Sequence, residues 1–201
     1  MAGSRARQRT EAPERRRGDL LDAALAIVVD KGVTRLTVDE VVARAEVAKG
    51  TFYLYFRSKE QLITALQDRF VDDLTALQRA ELDQIDAGDW LGRLLCWMES
   101  SLRGYLAHAR LHDALFHHSQ HGHEADLATN SHAALLAEIL EAGTAAGDFA
   151  LSTPRTAAVL LYNVMHGSAH YLVEQAERSP DLVEAVIAES LTLCRRYVDG
   201  T

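Results

Sequence analysis

Little in this sequence stiffens or cross-links the chain. Three prolines in 201 residues leave few enforced breaks, and β-branched residues do not cluster into the alternating runs that mark strands. Two cysteines, Cys96 and Cys194, lie far apart in apolar patterns. That fits buried thiols in a reducing compartment better than a disulfide framework, with a bridge between them as the alternative. No run approaches the roughly 18 apolar residues of a spanning helix. The Arg-rich start has no apolar h-region, which excludes a secretory signal. The expectation is a cytoplasmic protein with no membrane partner.

What is present is helical. Ala, Leu, Glu and Arg dominate, and hydrophobic residues make up 48% against 25% charged, an ordinary balance for a globular chain. The charge is unevenly placed. Residues 1–60 carry 12 Lys+Arg against 9 Asp+Glu, while the whole chain has a net charge of −8. A basic start on an acidic body suits a protein whose one end meets a polyanion. Six of those 12 cations lie in Arg5–Arg17, so a solvated tail fits equally well, and charge alone leaves both readings open.

The pattern along the chain predicts about nine helices and no strand, hence an all-α fold. Residues 1–13 have almost nothing apolar and are expected as a disordered basic arm. From Glu14, Leu20, Leu21, Ala24, Leu25, Ile27 and Val28 form an apolar stripe, which Lys31-Gly32 ends. Thr37-Val-Asp-Glu40 is a capping-box sequence opening a short helix, with Glu40 expected to reach back to the Thr37 amide. A third short helix starts near Ala48. Ser58 and Gln61 form a second capping box, opening a long helix past Leu66, Phe70 and Leu74. Further helices are expected from Asp89 to near Ala109, over 111–117, from about Glu124 to Ala146, from Pro154 to about Glu177, and from Pro180 to near Asp199.

Two very short helices joined by a three- to four-residue turn, packed on an apolar first helix, have helix-turn-helix spacing. On the second, Phe52 and Phe56 lie four apart and share an inward face. Lys49 and Tyr53, also four apart, fall on a face rotated away from it. Gly50 and Thr51 occupy the first turn, and Gly50 permits close backbone approach. The stretch AKGTFYLYFRSKE, residues 48–60, therefore has a core side and a contact side.

Residues 36–62, LTVDEVVARAEVAKGTFYLYFRSKEQL, resemble the DNA-binding region of the Tet repressor (TetR) family of transcriptional regulators. The resemblance spans roughly residues 15–66 and rests on the Gly-Thr-Phe-Tyr-x-Tyr-Phe-x-Ser-Lys core. It implies a helix-turn-helix domain over 14–66 and an effector-binding and dimerisation domain over 67–201. By position it implies that Thr37 bonds a phosphate and that Lys49, Gly50 and Thr51 face the major groove. Tyr53 and Tyr55 would place their hydroxyls on phosphates, and Lys59 would add a backbone contact at a helix N-terminus. Thr37 can also be only a helix cap, and Tyr55 partly core. The Arg-rich arm is either inert or seated in the minor groove. Glu46 departs from the pattern, since many members have glycine there, and a positive φ would strain it.

For the body, the resemblance implies an apolar effector pocket, with Trp97, Tyr105, Phe116, His117, Tyr162, Met165 and His166 as candidates. The last two helices would form a four-helix interface with a second copy through Leu160, Leu161, Val164, Leu191, Cys194 and Val198. Nine histidines include three pairs four apart: His108/His112, His117/His121 and His166/His170. Such spacing can hold a metal on one helical face, which keeps a metal-sensing regulator as the alternative through His117, His121, His166 and His170. A set of polar groups in a mixed pocket is the simpler reading. No Glu-x-x-His carboxylate pair, His-Glu-x-x-His, phosphate loop or nucleophile elbow occurs, so neither an enzyme nor a cofactor is expected. The implied function is a homodimeric repressor on a palindromic double-stranded operator, its recognition helices about 34–36 Å apart. A small-molecule effector would release it.

Overall fold

The computed structural model describes residues 2–116, 127–175 and 177–200, with side chains from residue 13 onward. Nine α-helices occur among them: α1 Ala2–Lys31, α2 Val38–Arg44, α3 Lys49–Tyr55, α4 Lys59–Leu82, α5 Trp90–Ala107, α6 Ala109–Phe116, α7 Ser131–Ala146, α8 Pro154–Glu174 and α9 Pro180–Asp199. A 3₁₀ turn at Val33–Arg35 joins α1 to α2. No strand is found among the described residues.

The chain divides into two compact units. One comprises residues 1–69 with 110–120, the other 70–109 with 121–201. The first thus adds α6 to the expected domain at residues 14–66. Within it, Gln67 Nε2 on α4 donates to the Leu115 carbonyl on α6 at 2.7 Å, a long-range tie that no local pattern announces.

Helix α1 starts at Ala2, so the segment expected as a disordered arm is helical. Its Ala, Arg, Gln and Glu carry little core surface but are strong helix formers. The core of this unit is Leu20, Leu21, Ala24, Ile27 and Val28 of α1, with Leu36, Val41, Val42, Phe52, Phe56, Leu62 and Leu66. Thr37 caps α2, accepting from the Glu40 amide at 3.3 Å. The reciprocal half of the expected box does not form. Glu40 accepts instead from the Thr37 hydroxyl at 2.8 Å and pairs with Lys31, because a nearby cation attracts a carboxylate more strongly than a backbone amide does. The Ser58 hydroxyl accepts from the Gln61 amide at 3.3 Å, and the Gln61 carbonyl takes the Arg57 amide at 2.6 Å.

In the second unit α7 begins at Ser131 rather than near Glu124. Asn130 Oδ1 accepts from the amides of His132 and Ala133 at 3.1 and 3.0 Å, setting the start by capping. Gly147 ends this helix in the left-handed conformation at φ 87°. Helices α5, α7, α8 and α9 enclose a core that includes Trp97, Met98, Leu136, Leu140, Leu161, Met165, Cys194 and Val198. Both cysteines are free thiols.

The turn between α2 and α3 contains Glu46 at φ 53°, so the position where the sequence departs from glycine is left-handed. That conformation costs a side-chain-bearing residue about 1–2 kcal/mol. Glycine removes the cost but gains unfolded-state entropy. Glu46→Gly is therefore expected to stabilise the protein by about 0.5–1 kcal/mol and Glu46→Val to destabilise it. Chemical denaturation of the three proteins measures both.

Candidate nucleic-acid interface and ligand cavity

Burial fixes the rotation of α3. Phe52 and Phe56 are 0% and 2% exposed, their ring centroids 5.7 Å apart. The Arg17 guanidinium lies over the Phe56 ring at 5.5 Å. With that face held inward, Lys49, Gly50, Tyr53 and Leu54 are exposed, and Thr51, Tyr55 and Lys59 are partly exposed. Thr37 is exposed at the start of α2. The seven residues expected at the contact surface therefore all reach solvent.

Three of them, Thr37, Lys49 and Lys59, carry polar partners of their own, and that of Thr37 is Glu40. Lys49 Nζ pairs with Asp39 Oδ1 of α2 at 2.6 Å. The Asp39 carboxylate pushes the Lys49 pKa up, so Lys49 is a firm cation here. Lys59 Nζ donates to the Thr34 carbonyl at 3.4 Å, which turns it toward the 3₁₀ turn. Leu54 is absent from the expected set, yet it is 81% exposed. The signal that could have found it is simple: in the helix that buries Phe52 and Phe56, residue 54 faces the opposite way.

The second unit holds a cavity of about 560 Å³ lined by residues of α4, α5 and α7, including Leu74, Gln78, Ser100, Ser101, Tyr105 and His132. Its polar groups are knotted together. Gln78 Nε2 lies 2.9 Å from the Trp97 carbonyl and 2.8 Å from each of Ser100 Oγ and Ser101 Oγ, sharing its two hydrogens among the three acceptors. Gln78 Oε1 is buried with no hydrogen-bond partner among the described residues. Ser101 donates its hydroxyl to the Trp97 carbonyl. Its oxygen is then the acceptor for His132 Nε2 at 2.8 Å, which sets His132 as the Nε2–H tautomer.

Of the six expected pocket residues that lie among the described ones, Tyr105 alone lines this cavity. Trp97, Tyr162 and Met165 are buried in the surrounding core. Their bulk fills space between helices. The Tyr162 hydroxyl accepts from Asn130 Nδ2 at 2.8 Å. His166 packs edge-on against Tyr105, with ring centroids 5.2 Å apart, and against Tyr162. Phe116 belongs to the other unit and stacks on His112. His117 and His121 lie outside the described residues. His170 pairs with Glu174 at 3.2 Å. Among the described residues no three His, Cys, Asp or Glu side chains gather as metal ligands would.

The α8–α9 candidates split in the same way. Leu161, Cys194 and Val198 are core, with the Cys194 thiol pushed up to about 12 by burial, and Leu191 packs against that core. Leu160 is exposed and Val164 partly so. The outward apolar surface also holds Tyr171 on α8 and Leu193 and Tyr197 on α9. A groove of about 690 Å³ runs along it, lined by Val164, Ser168, Val186, Leu193 and Tyr197 among others.

Burial holds the His132 pKa down, from 6.5 to about 4. A group whose folded pKa is depressed binds its proton first in the unfolded chain. The stability it confers is thus present above about pH 6.5 and lost as pH falls toward 4, amounting to about 3 kcal/mol. Urea midpoints between pH 7 and 4 should fall for the wild-type protein and less steeply for His132→Gln.

With this geometry in place, known proteins can be set beside it. Residues 20–66 match the family model described as bacterial regulatory proteins, tetR family. The transcriptional activator FasR of Mycolicibacterium smegmatis is 38% identical over 81 residues, covering 40% of this chain and 37% of that protein. The transcriptional repressor NemR of Escherichia coli K12 is 32% identical over 100 residues, covering 49% of each. The chain thus spans half or less of the length of these relatives. Similar solved structures extend further in space. One is the fatty acid degradation regulator FadR of Bacillus halodurans, with a TM-score of 0.64 at 22% identity, over 89% of this chain and 93% of that one. Another, from Rhodococcus sp. RHA1, has a TM-score of 0.72 at 22% identity, over 91% and 95%. At such identity the agreement concerns the fold, and the sequence match concerns the first unit. Residues 20–66 thus carry a module similar to the N-terminal module of the tetR family of bacterial regulatory proteins.

Proposed function

We propose that this protein is a DNA-binding transcriptional regulator, a homodimer whose α3 helices enter successive major grooves of a palindromic operator. The observation that carries the reading is the rotation of α3: Phe52 and Phe56 are buried while Lys49, Gly50 and Tyr53 face outward. Lys49 or Thr51 would supply the hydrogen bonds to base edges. Thr37, Tyr53, Tyr55 and Lys59 supply phosphate contacts that fix register. Relatives named as regulators support it, the repressor NemR and the activator FasR among them. Repression is the simpler assignment, since a dimer seated on an operator needs no further partner to block it.

The effector site in this reading is the cavity beside Gln78, Ser100, Ser101 and His132. Its side-chain groups are neutral at the knot, with an apolar wall from Leu74, Leu77 and Tyr105. Of the charged side chains that also line it, Arg103 is paired with Glu99, and Glu81 is the third. A ligand with an apolar body and an uncharged polar end fits that lining. It would release DNA by binding more tightly to the state with mis-set heads. The solved RolR and FadR proteins bind resorcinol and stearoyl-CoA respectively, two unlike ligands held on similar folds.

The partner surface is the outward stripe of α8 and α9. Leu160, Val164, Gly167, Ser168 and Tyr171 follow three- and four-residue steps along α8 with no charge among them. Val186, Leu193 and Tyr197 continue the surface on α9, where Glu189 and Arg196 also line the groove. An exposed stripe of this kind suits a second copy. Leu193→Glu should shift the protein to monomer in sedimentation velocity without loss of helicity, whereas an unchanged sedimentation coefficient would remove this face from the interface.

DNA binding is tested with a duplex enriched from a random pool. Fluorescence anisotropy should show affinity falling steeply with salt. Lys49→Ala should lower the salt slope by about 1. Lys49→Ala/Tyr53→Ala should weaken binding by about 10- to 100-fold with unfolding unchanged. Wild-type affinity in the double variant would overturn the assignment of α3.

A further inference from the structure

Leu54 is the most exposed large apolar side chain among the described residues, at 81%, and it lies on the helix assigned to the groove. At about 100° per residue, Leu54 stands opposite the midpoint of Phe52 and Phe56, the two residues that hold α3 to the core. Gly50 lies one turn earlier on nearly the same line and has no side chain to share it. Lys49 and Tyr53 flank this ridge on one side, and Thr51 and Tyr55 on the other. The outermost ridge of a helix docked in a groove goes deepest, so Leu54 would meet the groove floor while its polar neighbours reach the walls.

An isobutyl group cannot replace the water it strips from a base edge. Adenine, guanine and cytosine present only donors and acceptors in the major groove, and facing them with leucine leaves those groups without partners. Thymine alone presents an apolar group there, its C5 methyl. Helix α3 has no other exposed aliphatic side chain. The flanking cation and phenols suit DNA rather than an apolar protein surface.

We propose that Leu54 is a specificity-determining residue that reads thymine through its C5 methyl group at one position of each half-site. The inference rests on the DNA-binding reading above. It adds a base identity that Lys49 and Thr51, both hydrogen-bonding side chains, do not supply.

The test uses the full chain and the duplex enriched by the wild-type protein from a random pool. Each thymine of a half-site is replaced in turn by deoxyuridine, which removes the methyl group and keeps base pairing and every hydrogen-bonding group. One position per half-site should weaken wild-type binding by about fourfold, the worth of one buried methyl. Leu54→Ala should bind the thymine and deoxyuridine duplexes alike. Leu54→Gln, enriched afresh, should exchange thymine for adenine at that position, since glutamine pairs with the adenine edge. Deoxyuridine duplexes that all bind the wild-type protein unchanged would overturn the proposal while leaving DNA binding intact. So would a methyl effect that survives in Leu54→Ala. If the wild-type protein enriches no sequence, the DNA-binding reading itself falls.

Discussion

A seven-residue helix cannot hold itself together. Forming its first turn fixes several dihedral angles for one hydrogen bond, and isolated helices well beyond this length are marginal in water. Helix α3 has seven residues and no side-chain cap, so its existence depends on burying Phe52 and Phe56 against α1 and α2. That one interaction sets the position of the helix and its rotation. Because side chains follow the backbone at a fixed angular step, burying residues 52 and 56 forces 50 and 54 outward and 49, 51, 53 and 55 to the flanks. The proposed contact surface is a geometric consequence of the core.

The second unit applies the same rule with a different result. Along α8, Ala157, Ala158, Leu161, Tyr162, Met165, Ala169 and Leu172 are buried, while Leu160, Val164 and Tyr171 lie on the other side of the helix. The exposed side thus carries an apolar stripe beside the polar Asn163, His170 and Glu174. The inner face is accounted for by the core. The outer stripe remains an apolar surface toward water, which is unfavourable for a lone chain and suits association. In the interior, the knot of Gln78, Ser100, Ser101 and His132 brings polar groups together without a net charge. All but Gln78 Oε1 are paired with one another, which lowers the cost of placing them against an apolar cavity.

The sequence was most legible where local spacing decides structure. The all-helical class, the capping residues Thr37, Asn130 excepted, and Ser58, and the two-sided character of α3 follow from periodicity and cap chemistry alone. What it concealed depends on distant parts of the chain. Nothing near Glu40 indicates that Lys31 takes its carboxylate in place of the Thr37 amide, since that pairing spans the turn between α1 and α2. Bulk does not mark the cavity residues: Trp97, Tyr162 and Met165 are large because they fill a core, while the cavity wall uses Ser100 and Ser101, whose small size opens space. On α8 and α9, an apolar residue gives no sign of which of two apolar faces it serves, so Leu161, Cys194 and Val198 could not be told from Leu160 and Leu193 by hydrophobicity. Leu54 was overlooked for the opposite reason. An aliphatic residue among aromatics reads as core until the helix is rotated to fit its two phenylalanines.

The Lys49–Asp39 pair shows how such a surface can favour sequence over charge. Both side chains are exposed, 54% and 73%, so the pair contributes little to stability. Asp39 stands in the first turn of α2, where the helix dipole favours a carboxylate with or without Lys49. Its negative charge therefore persists beside the α3 surface, and it opposes phosphates of every sequence alike. A phosphate approaching Lys49 must displace Asp39 from it, which reduces what that cation adds to indiscriminate binding. The Gly50–Leu54 ridge is uncharged and escapes this competition, and its contribution depends on which base edge it meets. In the proposed complex, tempering the phosphate attraction lowers affinity for matching and random DNA alike, so the difference between them rests on the ridge and the base edges it meets.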